Sequence, residues 1–172
     1  MEIFNARRIT NIGAVTAIYV VLTLLFSGLS YGSVQFRFSE ALVLLCFFNK
    51  DYIISMTLGC FIANIFSPVG IVDTVVGTSA TLISVILIYL FRKDDNTLRL
   101  AMCSFFPVVV NGLMVAAELK YVSGFPFWLS ASQVALGELV CVSIIGVILV
   151  KALSRNKSFM RLITAGTNQK TC

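Results

Sequence analysis

The sequence contains no histidine and little charge of either sign, and these shortages exclude several classes of protein. Only 12% of its 172 residues are charged, whereas 58% are hydrophobic. A soluble domain carries charge on about a quarter of its residues, because its surface must face water. The composition therefore predicts that lipid covers most of the outside of the protein. Without histidine or a C-x-x-C pair, zinc and haem sites lose their usual ligands.

The sequence also lacks the motifs through which common enzymes act. It has no G-x-S-x-G stretch, no glycine-rich Walker loop and no constellation of metal ligands. We therefore expect no catalytic residue, no metal and no cofactor bound by this chain, and ATP could be used only through partner subunits. Four of the five cysteines lie in apolar runs and are interpreted as small packing residues: Cys46, Cys60, Cys103 and Cys141.

Long apolar runs separated by short polar breaks predict an all-α fold, an integral membrane bundle of six transmembrane helices. Because a helix needs about 20 apolar residues to cross a bilayer, residues 1–172 leave room for a single membrane domain. Helices are required because unpaired backbone groups are too costly in hydrocarbon. The predicted segments cover about residues 9–29, 39–48, 52–66, 71–91, 98–118 and 128–153. The second and third segments are short for a full crossing.

The basic residues predict the orientation of these helices. With the N-terminus inside, every lysine and arginine except Arg37 and Lys120 falls on the cytoplasmic side. Because cytoplasmic loops are enriched in these residues, the bias predicts six crossings with both termini in the cytoplasm. The net charge of +5 is then explained by topology and by attraction to anionic lipid, and no nucleic-acid partner is expected.

Ionisable and amide side chains within the predicted helices are candidates for binding a substrate. A charged side chain at the centre of a bilayer costs about 2.5–3.5 kcal/mol on insertion scales, so each one needs a reason. Glu138 has the strongest case, since it lies near mid-membrane where no helix cap explains it. Glu40 and Asp73 begin helices, so the helix dipole is an alternative explanation for both. Three amides complete the polar candidates: Asn64, Asn111 and Gln133.

Aromatic residues collect at the predicted outer ends of the helices. Phe36 and Trp128 are candidates for stacking on a planar ligand, and an interfacial aromatic belt is the alternative interpretation. Glu118 is predicted to form a solvated surface pair with Lys120. Arg37 is either a loop residue or a contact of a lid over the pocket, and the sequence leaves both interpretations open.

Three small residues, Gly13, Ala14 and Ala17, form a patch on the first predicted helix. Small residues at this spacing let two helices approach closely. The approaching helix belongs either to the same chain or to a partner membrane protein, and both alternatives remain open.

The candidate side chains together suggest the kind of solute that would bind. Carboxylates accept hydrogen bonds from N–H groups, amides both donate and accept, and aromatic rings stack on flat molecules. A pocket of acids, amides and aromatic rings without a cationic cluster suits a small planar solute that is neutral or cationic. An ion-coupled secondary transporter that works alone, with Glu138 carrying protons, is an alternative to a subunit of a larger importer.

Two stretches resemble a known family. They are VQFRFSEAL at 34–42 and NIFSPVGIVD at 64–73, the latter followed by Gly77. Both are similar to the QueT family of queuosine-precursor transporters, and the resemblance extends over about residues 5–155. A six-helix chain of fewer than 200 residues also resembles the substrate-binding S components of energy-coupling-factor (ECF) transporters.

The resemblance implies a substrate, partners and a place in the cell. The substrate would be a 7-deazaguanine base, such as 7-aminomethyl-7-deazaguanine or queuine, captured from outside the bacterial plasma membrane. Glu40, Asp73 and Glu138 would accept from the pyrimidine edge of the base and from its cationic arm. The partners would be a transmembrane coupling subunit and two cytoplasmic ATPases that use ATP. The patch of Gly13, Ala14 and Ala17 matches the position that commonly meets the coupling subunit.

Overall fold

The structure, a computed structural model, describes residues 6–32, 34–92 and 96–164. Two basic residues that contribute to the predicted orientation, Lys93 and Lys170, lie outside the described residues. Within these ranges the chain forms helices and turns and no β-strand, which confirms the all-α prediction.

Six helices correspond to the six predicted segments. They are α1 (Ala6–Leu25), α2 (Phe38–Phe47), α3 (Asp51–Asn64), α4 (Ile71–Phe91), α5 (Thr97–Ser123) and α6 (Phe127–Ser154). A one-turn helix, Ser27–Ser30, follows α1 in place of the last residues of the predicted 9–29 segment. A short helix α7, Lys157–Ile163, follows α6. Helix α5 continues to Ser123, past the predicted end at 118.

Four of these helices, α1, α4, α5 and α6, are long and apolar enough to cross a membrane. Helix α3 has 14 residues, and α2 has 10 residues wound as a tight 3₁₀ helix. A 3₁₀ helix rises about 2.0 Å per residue against about 1.5 Å in an α-helix. The tighter winding therefore stretches α2 to about 20 Å, about the length of the longer helix α3.

The 3₁₀ helix α2 lies at the centre of the bundle. Eight of its ten residues are buried, and it packs against α1, α3, α4 and α6. Its sequence is apolar on all sides after Glu40, and such a helix is stable only where other helices surround it. The remaining helices pack in the order α1, α3, α4, α5 and α6, each against the next.

The helices α5 and α6 depart from regular α geometry. A turn at Ser104 interrupts α5, three residues before Pro107. Proline has no backbone N–H, so it cannot bond to the carbonyl four residues earlier. The middle of α6, Leu139–Gly146, is wound as a wider π-helix and packs against α2. Gly146 allows this close contact, because a Cβ atom there would lie 3.2 Å from the backbone of Ala41.

The end of the bundle that carries the N-terminus is held by polar contacts between elements. Arg8 of α1 forms an ion pair with Asp51 at the start of α3. The amide of Asn49 donates to the Ile163 carbonyl of α7 at 3.0 Å. Arg92, after α4, donates to the backbone carbonyls of Phe47 and Phe48, each at 3.2 Å. These contacts tie α1, α7 and the residue after α4 to the stretch from the end of α2 to the start of α3.

Tyr19 of α1 packs directly on Gly59 of α3. A Cβ atom at Gly59 would lie 2.9 Å from two carbon atoms of the Tyr19 side chain, so only glycine fits. Tyr19 is fully buried and reaches the carboxyl group of Glu40 on α2. This close approach therefore joins α1, α2 and α3.

Replacing Gly59 with alanine should destabilise the protein by about 1–3 kcal/mol, because overpacking forces Tyr19 to move. The matched control is Gly13→Ala in α1, where an added Cβ meets no atom within 4 Å. Since alanine favours helix formation over glycine by about 1 kcal/mol, the control should be neutral or stabilising. Thermal unfolding in detergent, followed by circular dichroism, measures both. Equal unfolding midpoints would show that Tyr19 does not pack as described.

Candidate functional site

Four carboxyl groups lie almost completely buried in the half of the bundle away from the N-terminus. They belong to Glu40 of α2, Asp73 of α4, Glu118 of α5 and Glu138 of α6, and none is more than 4% exposed. We call these residues the four buried acids. A buried carboxylate is costly unless it is paired or hydrogen-bonded, so the contacts of each acid decide what the site can do.

Arg37 is the buried cation nearest to these acids. It precedes α2, is 4% exposed, and its Nη2 atom lies 3.5 Å from Asp73 Oδ1. Its Nε atom donates to the Ser30 carbonyl at 3.4 Å, and its guanidinium lies 5.7 Å from the centre of the Tyr31 ring. Burial lowers the pKa of Arg37, but the Asp73 carboxylate raises it, and the net pKa is above its ordinary value. The guanidinium therefore stays charged.

Glu40 receives hydrogen bonds at only one of its two oxygens. Tyr19 and Thr81 both donate to Oε1, the latter at 3.3 Å. The Thr23 hydroxyl, one turn after Tyr19, is 2.7 Å from the hydroxyl of Ser39. Oε2 of Glu40 is buried and accepts no hydrogen bond from the described residues. Helices α1 and α4 thus hold the carboxyl group in place and leave one oxygen open.

Glu138 shows the same pattern on α6. The Asn111 amide of α5 donates to Oε1 at 2.6 Å, and no described residue donates to the buried Oε2. The preceding residue, Gly137, lets the loop before α2 approach, since a Cβ atom there would lie 2.1 Å from the Val34 carbonyl oxygen. The next loop residue, Gln35, adopts a positive φ of 49° and is buried. The loop that carries Arg37 is therefore seated on α6 beside Glu138.

A cavity of about 250 Å³ opens beside Asp73. Its walls come from the loop before α2, the turn before α4, the end of α5 and the start of α6. The polar residues in its wall are Tyr31, Gln35, Ser67, Asp73, Ser123, Ser130 and Gln133. Burial raises the pKa of Tyr31, so its phenol stays protonated and donates to the Ala63 carbonyl at 2.6 Å. We call this space the Asp73 cavity.

Asn64 fixes the turn that presents Asp73. Its amide donates to the Asp73 carbonyl at 3.2 Å, and its own carbonyl accepts from the Thr74 hydroxyl at 3.0 Å. Its side-chain oxygen is buried without a donor in the described chain. Gly77 lets Asn64 lie against α4, because a Cβ atom there would be 2.5 Å from the Asn64 amide nitrogen. Two of the residues singled out in the 64–73 stretch thus hold each other in place.

The structure brings most of the sequence-predicted site residues together and separates others. Asp73 and Gln133 line the Asp73 cavity, while Glu40, Asn111 and Glu138 form buried hydrogen bonds beyond it. Phe36 is partly buried, and Trp128 is 78% exposed and packs edge-on against Phe127. No group of His, Cys, Asp and Glu among the described residues is arranged to hold a metal.

The burial of the side chains corrects one sequence interpretation and bears on another. Glu118 is 4% exposed whereas Lys120 is exposed, so the prediction of a solvated surface pair is wrong. Glu118 lies seven residues, or two helical turns, after Asn111 on α5. The two side chains therefore share one face of the helix, and both are buried. The small residues of the α1 patch, Gly13, Ala14 and Ala17, are exposed among the described residues, which favours an approaching partner helix over packing against the described helices.

The sequence interpretation missed Tyr19, assigned Glu118 to the surface and left Arg37 undecided. Tyr19 gave no signal, since a tyrosine in a transmembrane helix is usually placed at the interface. Glu118 shares a helical face with Asn111, which is a signal for burial. Arg37 is one of two basic residues on the predicted outer side, and it lies between two phenylalanines. A cation that breaks the charge bias within an apolar stretch indicates a buried counter-ion.

Apolar helices that surround buried acids, amides and a cavity define a multi-pass membrane transport protein. The QueT transporter family model matches residues 9–155, so the chain belongs to this family. The queuosine precursor transporter QueT of Lactococcus lactis subsp. cremoris (strain MG1363) is 37% identical over 164 residues, covering 89% of this chain and 95% of the relative. These findings confirm the resemblance to the QueT family noted in the sequence. No solved structure matches the chain.

Removing the Arg37 guanidinium alone should destabilise the protein more than removing the Arg37 guanidinium and the Asp73 charge together. Arg37→Met leaves a buried carboxylate without its cation, and breaking a buried pair costs about 3–5 kcal/mol. Adding Asp73→Asn should restore part of the loss, because the unpaired charge is then gone. Thermal unfolding of both single variants and the double variant measures the coupling. Lys120→Met, at an exposed site, is the control, and additive effects of the two changes would disprove the pairing.

Proposed function

We propose that this chain is the substrate-binding S component of an ECF importer for a queuosine precursor. The substrate would be a 7-deazaguanine base, such as 7-aminomethyl-7-deazaguanine or queuine. Membership of the QueT family and the name of the Lactococcus lactis relative support a queuosine precursor as the solute. The observation that carries the proposal is the set of buried carboxyl oxygens that accept no hydrogen bond from the described residues, found on Glu40, Asp73, Glu118 and Glu138.

The chemistry of such a base complements these open acceptors. Its pyrimidine edge carries N–H donors, and an aminomethyl arm carries a positive charge. Hydrogen bonds that involve a charged group contribute about 1.5–3 kcal/mol each, and buried carboxylates make them strongest where water is excluded. The Asp73 cavity, at about 250 Å³, is below the 300–1,000 Å³ typical of sites for drug-sized ligands, which favours a small solute.

The proposed topology is six crossings in a bacterial plasma membrane, with both termini in the cytoplasm. The distribution of lysine and arginine supports this orientation. The short helices α2 and α3 would lie within the bilayer because neighbouring helices, not lipid, surround α2. The four buried acids would then face the outer half of the membrane, where an external solute arrives.

The proposed energy source is a set of partner subunits. The sequence has no Walker loop, so ATP would be hydrolysed by two cytoplasmic ATPases, linked to this chain by a transmembrane coupling subunit. Helix α1 is the proposed contact for that subunit. Its small residues Gly13, Ala14 and Ala17 are exposed, as are the large residues Ile18 and Val21 beside them. A face of small residues lets a second membrane helix approach closely.

The purified chain should bind 7-aminomethyl-7-deazaguanine with a dissociation constant in the nanomolar to micromolar range. Glu138→Gln should weaken binding by about tenfold or more, since it removes the charge from one buried acceptor. The matched control is Asp51→Asn, another buried carboxylate, which pairs with Arg8 at the opposite end of α3. Calorimetric titration measures the dissociation constants of the unchanged protein and of the two variants. Unchanged binding after joint neutralisation of Glu40, Asp73 and Glu138 would refute the site.

Uptake should require the partner subunits, whereas binding should not. Gly13→Leu should leave the dissociation constant unchanged and lower uptake, because a bulky side chain blocks the face that an approaching helix needs. Ile9→Leu, an exposed change that keeps the size of the side chain, is the control on the same helix. Radiolabelled uptake is compared in cells with and without the ATPases. Concentrative uptake by the chain alone would instead favour a secondary transporter in which Glu138 carries protons.

A further inference from the structure

The four buried acids differ in how many of their oxygens remain open. Glu40 and Glu138 each have one oxygen occupied by hydrogen bonds and one without a donor. Asp73 has Arg37 beside its Oδ1 atom. In Glu118 both carboxyl oxygens are buried and accept no hydrogen bond from any residue of the described chain. Among the four buried acids, Glu118 is thus the one whose two carboxyl oxygens are both buried with neither a hydrogen bond nor an ion pair from the described residues.

The position of Glu118 connects it with the Asp73 cavity. The next residue of α5, Leu119, and Ser123 one turn later both line that cavity. The Glu118 carboxyl group interacts electrostatically with Asp73, which also lines the cavity, and with Arg37. Glu138 interacts electrostatically with Glu40 and also with Arg37. Asp73 therefore lies in the cavity wall and Glu118 lies next to a residue of that wall, whereas Glu40 and Glu138 are not among the lining residues.

The number of open oxygens decides which donor group each acid suits. A carboxylate with two open oxygens can accept two parallel N–H bonds at once, as it does from the fork of an arginine. A carboxylate with one open oxygen cannot offer one acceptor atom to each of two parallel donors, but its open oxygen suits a single ammonium group. The 2-aminopyrimidin-4-one edge of a guanine-like base presents two parallel donors, the ring N–H and the exocyclic amine. Only an acceptor with two open oxygens matches both donors.

We propose that Glu118 is the specificity-determining residue that accepts both N–H donors of a 2-aminopyrimidin-4-one edge. This inference rests on the proposed function, because it assigns one part of the same substrate to one acid. The cationic arm of the base is then left to the acids with a single open oxygen. Glu118 selects for the exocyclic amine, whereas Glu40 and Glu138 contribute to affinity without reading that group.

The test compares two ligands, 7-aminomethyl-7-deazaguanine and the same molecule without its exocyclic 2-amino group. The unchanged protein should prefer the 2-amino ligand by at least about tenfold, since a site built for an N–H donor rejects the analogue that lacks it. Glu118→Gln should lose most of this preference, because its amide presents one acceptor and one donor. Glu118→Ala should lose it as well, and Glu138→Gln should weaken both ligands while keeping the ratio.

The outcomes separate the inference from the function on which it rests. If the unchanged protein binds neither ligand, the proposed function fails, and the role of Glu118 fails with it. If the protein binds the 2-amino ligand and Glu118→Gln keeps the preference, the function stands and the role of Glu118 is refuted. Unfolding midpoints identify variants that fail to fold, and if Glu118→Gln is among them the ratio is judged on Glu118→Ala. A loss of preference in Glu138→Gln alone would assign the edge to Glu138 and also refute the proposal.

Discussion

The guanidinium of Arg37 is the charge on which the polar interior of this protein depends. Among the described side chains it is the one buried lysine or arginine, and its Nη2 atom lies 3.5 Å from Asp73 Oδ1. One positive charge cannot balance four carboxylates, and unpaired buried charges are costly. Under the proposed function, a nitrogen-rich base with a cationic arm would supply N–H donors to the carboxyl oxygens that accept no hydrogen bond from the described residues.

Close contacts between backbone segments at glycine residues position the helices and the loop that carry the buried polar groups. The central 3₁₀ helix α2 packs on the π-wound part of α6 at Gly146, and the loop before α2 rests on Gly137. Tyr19 lies on Gly59 and reaches Glu40 from the other side. Three glycines without side chains thus fix the loop that carries Arg37 and the helix that carries Glu40. The acids are positioned by this packing, while the hydrogen bonds to Tyr19, Thr81 and Asn111 orient their carboxyl groups.

Sequence patterns predicted the helices well and the contacts of individual side chains less well. The apolar runs located all six helices to within a few residues, because a bilayer-length run of apolar residues has few other solutions. The same hydropathy argument drew attention to Asp73 and Glu138, since a charged residue in an apolar run stands out. It misjudged Glu118, which lies near a helix end, where an acid is ordinarily solvated. It left Arg37 undecided, because a loop residue is exposed unless something covers it.

The sequence by itself determined that this is a helical membrane protein of the QueT family with acids inside its helices. Hydropathy, charge bias and two short stretches carry that information, because each depends only on residues near one another along the chain. Only the tertiary structure decided which acid pairs with Arg37, which buried carboxyl oxygens accept no hydrogen bond from the described residues, and which face of α1 is exposed. Those facts depend on the rotation and spacing of neighbouring helices. Contacts such as Tyr19 with Glu40 and Asn111 with Glu138, 21 and 27 residues apart, leave no trace in local sequence periodicity.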